Sequence, residues 1–333
     1  MASHYPYLTR VLMSLFAEGA LTTVDSIQVE PDYGYAAMIG YVDGSHRMIR
    51  GNDVGINPGA SNDVVKDKAY TKHFLLLAGI STPPGEAFLL RWWAERLAFS
   101  RTTDQAAAYI RETTGYPVYV KPVDGSKGRN VWRVVDETEL ARVVSVFDQE
   151  RVRVMLVEKA IDLPDYRLVI LDGALVFAYR REPLTVTGDG VLTVKDLLSA
   201  LLQERRSTGR DTSLQLHDPR IARRLDRLGL TWDAVLSVGE RARLLDVANL
   251  SAGGTAVDVT TTVHERWRVL AARTAALFGL RLCGVDLVCA DITGGEGEYA
   301  VLEVNGTPGL DHYATTGPDQ EAAVRNLYRR LLL

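Results

Sequence analysis

Residues 284–313 read GVDLVCADITGGEGEYAVLEVNGTPGLDHY, and this stretch decides the fold. Two short apolar runs, 285–290 and 299–304, flank a glycine-rich acidic connection, a pattern that predicts two antiparallel strands joined by a loop. Side chains alternate along a strand, so Glu303 and Asn305 share one face and Asp286 meets them from the neighbouring strand. A carboxylate in an apolar strand is costly unless something pairs with it. Two partners are open: a lysine or arginine at a sheet edge, or a hard cation such as Mg2+ held by one or two carboxylates plus substrate phosphates. The Thr307-Pro308-Gly309 turn directly after the strand favours the cation.

The rest of the composition is that of an ordinary globular chain. At 333 residues, 47% hydrophobic and with a formal net charge of -4, it is long enough for two or three subdomains. Its charges are interspersed and form no basic stripe of the sort that tracks a phosphate backbone, so nucleic acid is not an expected partner and small molecules are. The opening MASHYPYLTRVLMSLFAEG lacks a basic region ahead of a long apolar core, and no run approaches the ~20 apolar residues of a membrane span, which predicts a cytoplasmic protein without a membrane partner. Cys283 and Cys289 lie six residues apart on one extended run, roughly 20 Å, beyond disulfide reach, and read as core packing.

Along the chain, 7–16 reads as a helix closed by Gly19, and 27–29 and 35–42 as strands with a turn at Asp43-Gly44. A helix from about residue 63 ends at the left-handed cap Gly79, and a shorter one is expected over 103–115. Strand 118–122, the polar run Asp124-Gly125-Ser126-Lys127-Gly128-Arg129-Asn130 and strand 131–135 suit a flap over phosphates. Glycine lets backbone N–H groups approach oxygens, and Lys127 and Arg129 add charge. Asp136 and Glu139 form a capping box for a helix over 140–147. Strand 155–161 precedes a hairpin, 166–171 and 174–181, turned by Asp172-Gly173. A helix over 263–278 and another from Pro318 follow.

These pieces jointly carry a family resemblance. Asp286 with EVNGTPG at 303–309 resembles the metal-binding end of the ATP-grasp superfamily. KDKAYTKHFLLLAGISTPPG at 66–85 and Lys121-Pro122 before the glycine run are similar to its nucleotide-binding parts. RREPLTVTGDG at 180–190, ARRLDRLGLTWDAVLSVGERARL at 222–244 and NLSAGGTAVDVT at 249–260 are similar to the central module of cyanophycin synthetases, a module related to that of bifunctional glutathione synthetases. The resemblance spans about 63–313. It implies an α+β ATP-grasp fold, two α+β subdomains gripping ATP, behind a short N-terminal α/β segment. Its expected units are 1–62, a reduced N-terminal subdomain, 63–157, a lid lobe, and 158–333, a C-terminal lobe with a substrate-side insertion at about 191–248.

The resemblance also implies an ATP-dependent carboxylate–amine ligase that forms an acyl phosphate and releases ADP and phosphate. A small-molecule kinase and a catalytically silent nucleotide-binding protein are the alternatives. Lys68, Lys121, Gly125, Ser126, Lys127 and Gly128 are then expected at the phosphates. Glu158, Lys159, Ala160 and Ile161 are expected at the adenine, and Asp165 at the ribose. Asp286, Glu303 and Asn305 are expected at Mg2+, in two ions that Mn2+ replaces, and Arg180 or Arg181 with Asn249 at the reacting groups, Arg180 having the stronger claim. His312 or His217 is a candidate base for the amine. The partners implied are a small acid and a small amine, with a homodimer left open. The resemblance does not extend to the further domains of cyanophycin synthetases, so synthesis of a polymer from two alternating amino acids is not expected.

Overall fold

The computed structural model describes residues 5–125, 128–207 and 214–332. Its strands in chain order are β1 (Val24–Val29), β2 (Ala36–Tyr41), β3 (His46–Arg50), β4 (Gly85–Leu89), β5 (Val118–Pro122), β6 (Trp132–Val134), β7 (Val154–Lys159), β8 (Asp165–Leu171), β9 (Ala174–Glu182), β10 (Thr185–Thr187), β11 (Arg241–Arg243), β12 (Thr255–Asp258), β13 (Leu282–Cys289) and β14 (Tyr299–Asn305). They form antiparallel sheets in the orders β1-β2-β3, β4-β7-β5-β6, β12-β9-β8-β13-β14 and β10-β11.

The predicted hairpin 284–305 is the flank of the five-stranded sheet, and its register sets Asp286 directly opposite Glu303. All eight residues of β13 are buried, because both faces of this sheet are covered. Cys283, Val285, Leu287 and Cys289 point to one face, where Trp267 and Ala271 of the helix Glu265–Leu277 pack with Val65, Leu75 and Ile80. The opposite face receives Leu8, Leu12 and Leu15 of the helix Tyr7–Ala17, Ala37 and Ile39 of β2, and Leu327 and Leu331 of the helix Pro318–Leu332. Both cysteine thiols are free, and burial pushes each up to about 12.

The units fall differently from the expectation at three points. The boundary expected after residue 62 lies inside the helix Gly59–Lys66. Asp67 ends that helix and caps the next, Lys68–Leu77, accepting from the N–H groups of Ala69 and Tyr70 at 2.8 and 3.0 Å, so the single helix expected from residue 63 is two. Both helices pack on the five-stranded sheet, whereas the four-stranded sheet closes its own core from Phe88, Val118, Val120, Trp132, Phe147 and Val157. The insertion has a separate small core built on Leu198, Leu202, Ile221, Leu225 and Leu236, which begins at Leu184 on β10's flank. Among the described residues, no helix is long and apolar enough to cross a membrane.

Candidate active site

Between the four-stranded and five-stranded sheets lies a cavity of about 440 Å³, with Arg243, Val247 and Ala248 from the insertion side completing its wall. Of the expected site residues, Lys68, Lys121, Gly125, Gly128, Glu158, Lys159, Ile161, Asp165, Arg181, Asn249, Asp286 and Glu303 line it. Ser126 and Lys127 lie outside the described residues.

One side carries a lysine cluster. β5 pairs with β7 so that Lys121 and Glu158 project together, with Lys121 Nζ 2.7 Å from Glu158 Oε2. The other oxygen, Oε1, accepts from Lys72 Nζ at 3.1 Å, and Lys72 also donates to Thr82 Oγ1 at 3.2 Å and to the Pro83 carbonyl. Burial opposes the charge of Glu158, but Lys121 and Lys72 outweigh it and hold the carboxyl below its usual range. Burial likewise opposes the Lys121 charge, and Glu158, Glu303 and Asp286 more than offset that. Lys68 donates to the Gly125 carbonyl at 2.5 Å, and burial lowers its amine despite the charge of Glu303.

The opposite side is a ladder of charge across three strands. The face of the five-stranded sheet that bears Val169, Phe177 and Tyr179 turns from apolar to charged towards the cavity. There the register sets Arg181 opposite Asp165 and Arg167 opposite Asp286. Arg181 reaches Asp165 Oδ1 from Nε and Nη2 at 2.9 and 2.6 Å and Asp286 Oδ2 from Nη1 at 2.9 Å. Arg167 forks onto Asp286 through Nε and, at 2.9 Å, Nη2. Asp286 is 3% exposed, and although burial opposes its charge, the two guanidiniums keep it ionised below the ordinary range. Asp165, desolvated and sharing Arg181 with Asp286, is raised.

Asp286 therefore takes the first of the two partners left open, an arginine, rather than standing ready as a metal ligand. Glu303, half-buried at the cavity wall, has no ion-pair partner among the described residues. The Asn305 amide donates to Glu303 Oε1 at 3.0 Å and accepts from Arg167 Nη2 at 3.2 Å. Turning that amide over places two oxygens 3.0 Å apart, an acceptor pair that a hard cation would satisfy. Among the described residues no three His, Cys, Asp or Glu side chains converge on a metal position, so this donor set fits Mg2+ only with phosphate oxygens completing the shell.

Placement bears on five further expectations. Arg180 alternates to the outer face and pairs with Glu182 at 2.7 Å, well exposed, while Arg181 turns into the cavity. The N–H of Ala160 donates to the Pro117 carbonyl at 3.0 Å, leaving Ile161 and the following Asp162 and Leu163 on the cavity. The Glu158 carboxylate is occupied by two lysines and is not an open acceptor for a base. Asp165 lines the cavity with its Oδ1 held by Arg181. His217 sits edge-on to Trp232, 5.9 Å between centroids, and His312 lies 4.0 Å from Asp311; neither lines the cavity.

Sequence reasoning missed Arg167, Lys72 and Asp246. The first had a signal, since Asp165 and Arg167 alternate with Tyr166 and Leu168 along one strand. Asp246 offers its carbonyl to the Tyr119 hydroxyl at 3.1 Å, and burial pushes that phenol up to about 12, so it remains a donor.

No protein-family model matches the chain. Over 256 residues it is 32% identical to a cyanophycin synthetase of Crocosphaera subtropica, a match covering 73% of this chain and 27% of that protein. It is 27% identical over 267 residues to the glutathione biosynthesis bifunctional protein GshAB of Streptococcus mutans, covering 76% of this chain and 34% of the relative. The chain thus spans about a quarter to a third of the length of these curated relatives. Among solved structures, a bifunctional glutathione synthetase from Pasteurella multocida superposes with a TM-score of 0.58 at 19% identity, over 97% of this chain and 44% of that one. A D-alanine–D-alanine ligase from Bacillus anthracis superposes with a TM-score of 0.50 at 16% identity, over 83% and 67%. The chain has the ATP-grasp fold, and it shares that fold with homologues named cyanophycin synthetase and glutathione biosynthesis bifunctional protein.

Proposed function

We propose that this chain is an ATP-dependent carboxylate–amine ligase that forms an amide or peptide bond between small, amino-acid-like substrates and releases ADP and phosphate. One observation carries the reading: Lys68, Lys121 and Arg181 converge on a single cavity, with Glu303 at its wall and Asn305 hydrogen-bonded to Glu303 behind it. Bringing a carboxylate to the γ-phosphate of ATP sets two anions together, and such a site cancels charge that water would otherwise screen.

Lys121 and Lys68 neutralise the phosphates, and Arg181, braced by Asp165 and Asp286, faces the acid as its carboxyl becomes an acyl phosphate. The amine then attacks that carbonyl carbon, phosphate leaves, and the amine's proton passes to solvent or to a base. Asn249, beside Gly128, faces the same space. A Cβ on Gly128, whose φ is +67°, would stand 2.8 Å from Asn249 Oδ1. Ile161 to Leu163 form the edge against which adenine lies. Mg2+, in two ions replaceable by Mn2+, would be held by Glu303 and Asn305, with Asp286 as a ligand only if an arginine withdraws, and would supply charge neutralisation at the phosphates. The reading includes a cytoplasmic location and admits a homodimer.

The experiment is a screen of amino acids paired with amino donors for phosphate release, with products identified by mass. ADP appearing only when both partners are present supports ligation. A phosphorylated acid accumulating without an amine requirement supports the kinase reading, and no nucleotide turnover with any pair refutes both.

A further inference from the structure

The insertion's helix Pro219–Leu228 carries arginines at 220, 223, 224 and 227, and this spacing puts them on one stripe while Ile221 and Leu225 enter the insertion's own core. A run of four arginines on a helix is ordinarily a solvated face. Here the side chains of Arg220, Arg224 and Arg227 are only 15%, 21% and 20% exposed. Much of the stripe lies against the four-stranded unit. Arg220 Nη1 donates to the Gly128 carbonyl at 2.5 Å, and Asp218 braces the guanidinium at 2.8 and 3.0 Å. Arg223 lies 4.6 Å over the Trp132 ring. Arg227 Nη2 donates to the Arg133 carbonyl at 2.6 Å and to both Glu139 oxygens at 3.0 and 2.9 Å, while its Nη1 reaches Asp246 at 3.1 Å. Arg224 holds the other Asp246 oxygen at 3.3 Å.

The helix is built to be a stiff strut. Asp218 caps its start, Pro219 opens its first turn and Gly229 ends it in the left-handed conformation. The gap between it and the four-stranded unit is a void of about 10 Å³, room for one water. Gly128, Tyr119 and Asp246 line the large cavity, so these contacts act on its wall.

We propose that Arg220, Arg223 and Arg227 are positioning residues that fasten the four-stranded unit to the insertion, so that the two move as one jaw against the five-stranded sheet. The wall facing Arg181 and Glu303 is thereby set before any nucleotide arrives. The kinetic consequence rests on the ligase reading; the mechanical one does not.

Hydrogen exchange on the whole chain without nucleotide tests it. A hydrogen bond to a charged group is worth about tenfold or more in an opening equilibrium. In Arg220→Ala/Arg227→Ala, peptides covering β6 and the helix Glu137–Gln149 should exchange about tenfold faster, with β13 unchanged. Arg220→Lys/Arg227→Lys should recover part of the protection. Unchanged exchange in β6 and that helix overturns the proposal, and so does equal acceleration in β13, which would mean general destabilisation. Should the double variant not fold, Arg220→Ala alone must accelerate the peptide beginning at Gly128 and spare β13. With an active substrate pair, the double variant should raise the KM for ATP about fivefold while kcat changes less than twofold. A fall in kcat with unchanged KM would remove the positioning role, whereas turnover absent in the unmodified chain would remove the ligase reading and leave the exchange result standing.

Discussion

Lys72→Met deletes a buried ammonium and keeps its apolar stem. Glu158 would then retain only Lys121, and Thr82 Oγ1 and the Pro83 carbonyl would lose a donor. Removing one partner of a buried pair costs about 3–5 kcal/mol. Because the second lysine stays 2.7 Å from Glu158, the lower end applies, and about 3 kcal/mol is expected. Urea titration at neutral pH, comparing midpoints at equal slope, measures it. The sign with pH follows from the carboxylate. Its folded pKa is depressed, so its stabilisation is present above the unfolded value and lost as pH falls through the folded one, below the usual carboxylate range. The gap between the unmodified chain and the variant should therefore be widest near neutrality and close in acid. A loss under about 1 kcal/mol at neutral pH would refute the argument that this lysine is needed to compensate a buried charge.

Arg181→Ala should abolish phosphate release, whereas Arg180→Ala, which breaks only an exposed pair with Glu182, should cost less than about 1 kcal/mol of stability and leave turnover near normal; equal loss of activity in both would contradict the assigned faces. Glu303→Ala should leave the fold intact and weaken Mn2+ binding measured by paramagnetic resonance in the presence of a nonhydrolysable ATP analogue, and unchanged binding would remove Glu303 from the cation site. Gly85→Ala places a Cβ 2.2 Å from the Val157 carbonyl oxygen and 2.8 Å from Glu158 Cα, so β4 must shift against β7, and a loss of about 1–3 kcal/mol should appear in thermal unfolding.

The hairpin at 284–305 was legible because apolar period-two runs around a glycine-rich loop leave few alternatives, and its strand parity brought Asp286 beside Glu303. What parity could not supply was the outward or inward sense of β9. Arg180 and Arg181 differ only in which face the neighbouring strands bury, and that depends on the helices packed against the sheet. Lys72 was hidden for a similar reason: a lysine on a helix reads as solvated until the partner arriving from residue 158 is known. What the arginines of 220–227 pack against was not legible, since periodicity shows that they share a side and not what covers it. The lid's beginning was misplaced because helix 68–77 and the lid strands are neighbours in sequence, while hydrophobic burial assigns that helix to the other sheet.

The first and last described segments share one core. Thr23 Oγ1 donates to the Leu332 carbonyl and Arg47 to that of Leu331, across separations of 309 and 284 residues, and Leu8 and Leu12 pack with Leu327 and Leu331. During synthesis, residues 8–54 leave the ribosome long before the helix Pro318–Leu332 exists, and the part of their apolar surface that this helix covers stays open for that interval. At roughly 5–20 residues per second, the wait is on the order of 15–60 s. Contacts of such sequence separation also slow folding, since the closure entropy of the long loop precedes any burial. Cutting back the helix Pro318–Leu332 should thus expose the amino-terminal sheet to aggregation while the four-stranded unit, whose core lies wholly within residues 88–157, keeps its own.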